Sequence, residues 1–168
     1  KSIVIPKPGE ISVLERPMPA EPDKDEVIVR VKAAGICGSD LHIYHGRSAF
    51  ATYPRVIGHE IAGEIYKAGS MVKDFKPGDK VAVDPVISCG ECYACRIGRH
   101  NVCSSVKVLG VHVDGGYSKY IKVNAGNVHR IPDYLSWEEA AVVEPFSIAA
   151  EAIDRGRLCA GDSVLICG

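Results

Sequence analysis

The sequence predicts a mainly β fold with some helix, in which a β-barrel or β-sandwich is followed by the start of an α/β domain. From residue 1 to about residue 132, short runs rich in β-branched and aromatic residues alternate with Gly and Pro. Around Ser136 the pattern changes to an Ala-rich helical one. The last residues, DSVLICG, form an apolar run that is typical of a buried strand.

Seven segments before residue 133 are predicted to form strands. In chain order they are SIVI, ISVLER, EVIVRVKAAGI, VIGHEIAGEIYKAG, DKVAVDPVI, YSKYIKV and NVHRIP. Between the first two, Pro8 presets φ for a type II turn and Gly9 accepts a positive φ at the next position, so a hairpin is expected. A second Pro-Gly turn leads into the strand that begins near Asp79.

Two helices and one strand are predicted after residue 135. Ser136 and Glu139 match the S-x-x-E capping box, so a helix is expected to begin there. Pro145 suits the first position of a second helical piece, which Gly156 can end. A turn at Ala160-Gly161 leads into the predicted buried strand. The two cysteines that flank this region, Cys159 and Cys167, are expected to be small apolar packing residues.

The charge pattern excludes several classes of protein. Twenty basic and twenty-one acidic residues give a net charge of -1, and the basic residues are scattered rather than gathered into a stripe. This distribution does not favour binding to a nucleic-acid backbone. The most apolar stretch contains Glu144 and Pro145, and the N-terminal segment is broken by Pro and Gly, so neither a membrane span nor a secretory leader is predicted. We therefore expect a cytoplasmic protein.

Four of the seven cysteines lie close together with the spacing C-x2-C-x2-C-x7-C. In a reducing compartment such a cluster more often binds a metal than forms disulfides. Four thiolates complete a tetrahedral zinc shell that has no open position, so this zinc would be structural. A bacterial ferredoxin cluster starts with the same spacing, but its fourth cysteine follows three residues later and precedes Pro. The sequence therefore predicts a structural zinc lobe at residues 88–104, with the ligands Cys89, Cys92, Cys95 and Cys103.

A second set of residues comes from three separate segments, GICGSDLH, GHE and VVEP. They supply Cys37, His59 and Glu144, and one thiolate, one imidazole and one carboxylate are the ligands that an open catalytic zinc site uses. Each residue alone has a simpler explanation. Cys37 would be an inert buried thiol, His59 a core histidine and Glu144 an acid at the start of a helix.

Taken together, C-G-S-D-x-H, G-H-E, the four-cysteine lobe, DGGYSKY and VLICG resemble the zinc-dependent medium-chain alcohol dehydrogenase family. The resemblance runs the length of the chain. It implies a GroES-like β-barrel catalytic domain at residues 1–135, followed at residues 136–168 by connecting helices and the first strand of an incomplete Rossmann domain. Glu144, at a position where animal alcohol dehydrogenases have cysteine, resembles the polyol, threonine and sugar-acid branch. YPRVIGHE, VLGVHVDGG and VVEPFSIAA are similar to bacterial starvation-sensing and galactonate-type oxidoreductases.

The resemblance also implies a ligand set for a second, catalytic zinc. Cys37 and His59 would hold this ion, with Glu144 or Glu60 as the third ligand, and the ion would lower the pKa of a bound alcohol. Neighbours on a strand point to opposite faces, so His59 and Glu60 can face one ion only where the backbone departs from a regular strand. Otherwise Glu60 lies behind the ligands. We hypothesise that Glu60 and Glu144 exchange at the third position.

Further roles follow from the same resemblance. Ser39 would form a hydrogen bond with the alcohol oxygen and pass the alcohol proton toward His42, in this family partly through the ribose of the cofactor. Asp40 would form a hydrogen bond with the ring nitrogen of His59 that does not bind the zinc, and so fix the tautomer of His59. The simpler alternatives are a solvated surface histidine for His42 and a turn-capping aspartate for Asp40. Near the zinc, the pocket is expected to include Ser39, Tyr44 and Phe50.

No G-x-G-x-x-G loop occurs in the 168 residues. If they are the entire polypeptide, a catalytic domain without its cofactor domain is expected to show little or no turnover. A complete member would bind two zinc ions per chain and NAD or NADP, act on a small alcohol or polyol, and form a homo-oligomer.

Three other functions are possible. A non-enzymatic GroES-like zinc-binding scaffold or interaction module remains open. The zinc-free quinone-reductase branch is disfavoured by Cys37, His59 and the lobe. A zinc-ribbon nucleic-acid binder lacks the basic patch and the stacking aromatic residues that such proteins use.

Overall fold

Ten short strands form three antiparallel sheets in a computed structural model that describes residues 1–167. The strands are β1 (Ser2–Ile5), β2 (Ser12–Leu14), β3 (Glu26–Ala34), β4 (Arg55–Val56), β5 (Ile61–Ala68), β6 (Lys80–Val83), β7 (Val86–Ile87), β8 (Lys107–Val108), β9 (Tyr120–Asn124) and β10 (Val128–Arg130). The sheet orders are β2-β1-β4, β10-β6-β5-β3-β9 and β7-β8. The mainly β prediction is confirmed.

The five-stranded sheet curls into a half-barrel around the main core. Its longest strand, β3, has register shifts at Ile28/Val29 and Val31/Ala33, and such bulges increase the local twist of a strand. Alternate residues of the strands point inward, as the period of a strand requires. The buried core is aliphatic and consists of Val27, Val29, Ile61, Ile65, Val81, Val83, Leu109, Ile121, Val123 and Val128.

Both predicted Pro-Gly turns are confirmed. β1 and β2 pair as a hairpin, Gly9 has φ +79°, and the N–H of Glu10 donates to the carbonyl of Lys7 at 3.1 Å. Gly78 has φ +92° in the second turn, which leads directly into β6. These glycines adopt a backbone conformation that side chains with a Cβ disfavour.

Within residues 1–167 there are four α-helices, α1 (Gly38–Tyr44), α2 (Tyr93–Arg96), α3 (Trp137–Ala141) and α4 (Val143–Gly156), and two short 3-10 helices at His100–Val102 and Ala125–Asn127. The predicted capping box opens α3, since Ser136 Oγ accepts from the N–H of Glu139 at 3.1 Å and Glu139 Oε2 accepts from that of Ser136 at 2.7 Å. Helix α4 ends at Gly156 as expected, but it begins two residues before Pro145. None of the helices within residues 1–167 is long and apolar enough to cross a bilayer.

Helix α1 was not predicted from the sequence, and the predicted C-terminal strand is wrong. Residues 162–167 have no regular secondary structure, and Leu165 and Ile166 are 86% and 89% exposed. A strand needs a neighbour to satisfy its backbone groups, and none of the described strands lies beside this segment. Cys159 and Cys167 are likewise exposed rather than packed. Gly168, the last residue of the predicted strand, lies outside the described residues.

Candidate metal centres

The four clustered cysteines are brought together by α2 and the turns around it. Their sulfur atoms lie 3.4 Å apart for Cys103 and Cys89, 3.5 Å for Cys92 and Cys95, and 4.0 Å for Cys89 and Cys95. A tetrahedral zinc ion with Zn–S bonds of about 2.3 Å requires sulfurs about 3.8 Å apart. The four thiols therefore fit one zinc ion, and they leave it no open position.

Backbone N–H groups also point at these sulfurs. The N–H of Cys92 donates to Cys89 Sγ at 3.4 Å, and that of Ser105 donates to Cys103 Sγ at 3.4 Å. Hydrogen bonds from the backbone of Cys95 and Ser104 lower the pKa of Cys92 to about 5. Burial, followed by the neighbouring thiols, raises the pKa of Cys95 to about 11. The lobe thus stabilises some thiolates by itself, whereas Cys95 keeps its proton at neutral pH.

A second group of potential ligands lies at the junction of α1 and β5. One ligand atom each of Cys37, His59 and Glu60 lies within 4.8 Å of the other two. Residues 57–60 belong to no strand, although the sequence predicted one continuous strand there, and Gly58 has φ +92°. This break in the backbone lets His59 and Glu60 face the same point, which a regular strand would forbid.

Asp40 organises the loops that carry these ligands. Its side chain is buried, its Oδ1 accepts the N–H of Gly58 at 3.1 Å, and its Oδ2 accepts the N–H of Cys37 at 3.0 Å. The predicted bond to His59 is longer than a hydrogen bond, because Nδ1 lies 3.9 Å from Asp40 Oδ1. Among the described residues this buried Nδ1 has no hydrogen-bond partner. Asp40 therefore holds the backbone of both loops and lies next to the imidazole.

Helix α1 places Ser39 and His42 on one side of this group. Ser39 Oγ lies 3.5 Å from His59 Nε2, while His42 is exposed one turn further along the helix. Residues three apart are neighbours on a helix surface. Of the other two expected pocket residues, Tyr44 packs beside the apolar cluster of Ile5, Ile43 and Ile57, and Phe50 is 69% exposed.

Glu144 lies near this group but is not part of it. It is half-buried at the start of α4 and lines a cavity of about 240 Å³ together with Asp84, Pro85 and His129. Burial raises the pKa of Glu144, His59 opposes this effect, and the charge of Glu60 adds to it. Glu144 is thus close enough for the charges of His59 and Glu60 to affect its pKa, whereas Glu60 is itself a member of the ligand group.

No role was predicted for Tyr117 or Gly35, which the fold places directly behind the ligand group. The hydroxyl of Tyr117 donates to the carbonyl of Gly35 at 2.7 Å and lies 3.4 Å from Asp40 Oδ2. Burial and the charge of Asp40 raise the pKa of Tyr117, so its hydroxyl keeps the proton it donates. In the sequence, Tyr117 lies within the motif DGGYSKY, and Gly35 is the first residue of the motif GICGSDLH.

The chain was compared with known protein families to identify the family to which it belongs. The alcohol dehydrogenase GroES-like domain family matches residues 23–133. The chain belongs to this family. The resemblance that the sequence motifs indicated is therefore confirmed, as is the GroES-like fold.

Curated relatives in the alcohol dehydrogenase family match the chain over its length. They include the starvation-sensing protein RspB of Escherichia coli K12 (51% identical, 100% of this chain, 49% of the relative), the sorbitol dehydrogenase of Bacillus subtilis (45%, 100% and 48%) and the L-galactonate-5-dehydrogenase of Escherichia coli K12 (41%, 99% and 48%). The chain spans about half the length of the curated relatives it matches.

A solved alcohol dehydrogenase structure supports the same assignment. The crystal structure of rspB from Escherichia coli CFT073, complexed with NADH, superposes with a TM-score of 0.89 at 49% sequence identity. The match covers 96% of this chain and 47% of that chain. Two of the three curated relatives are named as dehydrogenases, and the solved rspB structure contains NADH, so the family includes enzymes.

Proposed function

We propose that this chain is the zinc-binding catalytic domain of an NAD- or NADP-dependent dehydrogenase that oxidises a hydroxyl group of a small polyol or sugar acid. One observation carries the proposal: Cys37, His59 and Glu60 each offer a ligand atom within 4.8 Å of the other two. One sulfur, one nitrogen and one oxygen make a ligand set that suits zinc, and three protein ligands leave a fourth position for a substrate.

In this proposal the two metal sites have different tasks. The four thiols at residues 89–103 hold a structural zinc that stiffens the lobe. At the open site, bound zinc would act as a Lewis acid that lowers the pKa of a substrate hydroxyl. Asp40 lies on the Nδ1 side of His59, which leaves Nε2, the nitrogen beside Ser39, to face the ion.

Ser39 and His42 then provide a route for the substrate proton. Ser39 Oγ lies 3.5 Å from His59 Nε2, close to where the reacting hydroxyl would sit, so it can accept a hydrogen bond from that hydroxyl. His42 lies on the same side of α1 and is exposed to solvent. The proton would pass from the substrate hydroxyl to Ser39 Oγ, and from there to the His42 ring and bulk water.

Two further points belong to the same proposal. Glu144, near His59 and Glu60 but outside their group, would exchange with Glu60 as the third ligand. Residues 1–135 would form the catalytic unit, and residues 136–168 would lead into a cofactor-binding domain of a homo-oligomeric enzyme. With no G-x-G-x-x-G loop in the sequence, the 168 residues alone should show little turnover.

The metal content tests this proposal most directly. Purified chain should contain two zinc ions by elemental analysis, and Cys37→Ser should contain one, since only the cysteine lobe would remain. Cys159→Ser, a change of the same type at an exposed position, should keep both. One zinc in the wild-type chain would favour a non-enzymatic scaffold instead.

The substrate class needs an activity measurement on a longer natural protein that contains this chain. Polyols and sugar acids should be oxidised with NAD or NADP, and Ser39→Ala should slow that oxidation. Robust NAD-linked turnover by the 168 residues alone would contradict the proposed need for a further domain.

A further inference from the structure

Tyr117 connects the two loops that carry the proposed ligands, and its backbone forms the first half of this connection. The segment 115–117 runs beside the loop that precedes His59. The N–H of Gly115 donates to the carbonyl of Val56 at 2.8 Å, and that of Tyr117 donates to the carbonyl of Ile57 at 3.0 Å. The main chain of Tyr117 is therefore fixed to the His59 loop.

The side chain of Tyr117 forms the second half. Its ring fills the space next to Gly58, where an added Cβ would lie 2.2 Å from the ring atom Cδ1. Its hydroxyl reaches the other loop and donates to the carbonyl of Gly35 at 2.7 Å, two residues before Cys37. A rigid aromatic ring thus spans the distance between the His59 loop and the Cys37 loop.

Gly35 in turn supports the third ligand. Its N–H donates to the carbonyl of Glu60 at 2.8 Å, and a Cβ on Gly35 would lie 1.9 Å from Glu60 Oε2. The carboxylate of Glu60 therefore lies directly over the backbone of Gly35. By holding the carbonyl of Gly35, the Tyr117 hydroxyl also fixes the surface against which Glu60 packs.

We propose that Tyr117 is a positioning residue that holds the Cys37 loop and the His59–Glu60 loop at the separation that a single metal ion needs. The inference rests on the proposed function, because it assumes that the three ligands bind one ion. It goes further by naming the group that sets their spacing. Groups behind metal ligands contribute in this way because a preorganised site does not have to be ordered when the ion binds.

The experiment compares two matched substitutions in the full chain. Tyr117→Phe removes only the hydroxyl that bonds Gly35. Tyr53→Phe is the control. Tyr53 and Tyr117 both pack against the apolar cluster of Ile5, Ile43 and Ile57. The hydroxyl of Tyr53, however, donates to the carbonyl of Ile43 near the end of α1 and not to Gly35. Zinc affinity is measured by competition with chelators of graded strength. Amide hydrogen exchange of Cys37 and Gly58 is measured on the zinc-free chain.

Tyr117→Phe should weaken binding of the second zinc by about tenfold, should leave the cysteine-lobe zinc unchanged, and should speed exchange at both amides. Tyr53→Phe should do none of these. Second-zinc affinity within twofold of wild type in Tyr117→Phe would overturn the inference, as would equal weakening of both sites. A wild-type chain that binds no second zinc would instead refute the proposed function, and the inference with it, and that failure is visible before any variant is made.

Discussion

The carboxylate of Asp40 accepts a hydrogen bond from the backbone N–H of Gly58 at 3.1 Å and so ties the start of α1 to the loop that carries His59. Its other oxygen accepts the N–H of Cys37 at 3.0 Å. Both oxygens of one buried carboxylate are therefore used to hold the backbone next to two proposed ligands. Several expected outcomes depend on this arrangement and on the contacts around it.

Asp40→Asn should destabilise the fold although it barely changes the size of the side chain. An amide offers one acceptor oxygen, so one of the two backbone donors would lose its partner in a buried place. This costs about 1–3 kcal/mol in the free energy of unfolding, measured by urea denaturation. Asp154→Asn, an exposed position on α4, should change it by less than about 0.5 kcal/mol. Equal effects would show that Asp40 does not hold the loops.

Gly58→Ala and Gly78→Ala separate backbone strain from crowding. Both glycines have φ +92°, but an added Cβ meets nothing within 4 Å at Gly78, whereas at Gly58 it overlaps the ring of Tyr117. Gly78→Ala should cost about 1–2 kcal/mol from the left-handed backbone alone. Gly58→Ala should cost about 1–3 kcal/mol more, because the ring must move. Chemical denaturation of the two variants measures the difference. Equal losses of stability in the two variants would show that the ring of Tyr117 moves aside at no cost.

Zinc binding by the cysteine lobe should strengthen as the pH rises from 6 to 8. The raised pKa of Cys95, about 11, means that this thiol must lose its proton when zinc binds. Cys92, with a pKa of about 5, is already a thiolate over this range. Each proton released makes the apparent affinity rise about tenfold per pH unit. Chelator competition at several pH values, with proton release recorded in two buffers, checks this. An affinity independent of pH would contradict it.

Asp79 should stabilise the fold above its unfolded pKa of about 3.9. A hydrogen bond from Arg130, whose nitrogen lies 3.0 Å away, lowers the pKa of Asp79 in the folded state. A lowered carboxyl pKa stabilises the fold at higher pH, and this contribution is lost as the pH falls through the folded-state value. The stability difference between wild type and Asp79→Asn should therefore shrink between pH 7 and pH 3. A difference that stays the same over this range would contradict the role of the Arg130 hydrogen bond.

Glu60 and Glu144 should contribute unequally to binding of the second zinc. Glu60 lies in the ligand group, and Glu144 does not. Glu60→Gln should therefore lower the affinity for the second zinc by about tenfold or more, and Glu144→Gln should lower it less. The double variant should not retain the second zinc. Zinc analysis after dialysis against chelators measures this order. A stronger effect of Glu144→Gln alone would identify Glu144 as the main ligand.

Some features of the protein could be predicted from the sequence because they depend on short-range rules. The spacing of the four cysteines within fifteen residues, the capping box at Ser136 and both Pro-Gly turns involve only neighbours in the chain, and the structure confirms the capping box and the turns. Helix α1 was missed because its N-cap residue is Cys37, whereas Ser, Thr, Asp or Asn usually precede a helix. Asp40, in the first turn, accepts a hydrogen bond from the N–H of Cys37.

Sequence alone determined the mainly β fold and identified Cys37, His59, Glu60 and Glu144 as candidate ligands of the second zinc. Only the tertiary structure shows that Glu60 offers a ligand atom within 4.8 Å of those of Cys37 and His59, because distant residues hold the break at residues 57–60: Asp40 accepts the N–H of Gly58, and the N–H of Tyr117 donates to the carbonyl of Ile57. The same limit explains the C-terminal error. Local hydrophobicity indicates that a segment favours a strand, but strand formation requires a partner, and partners are set by the fold as a whole.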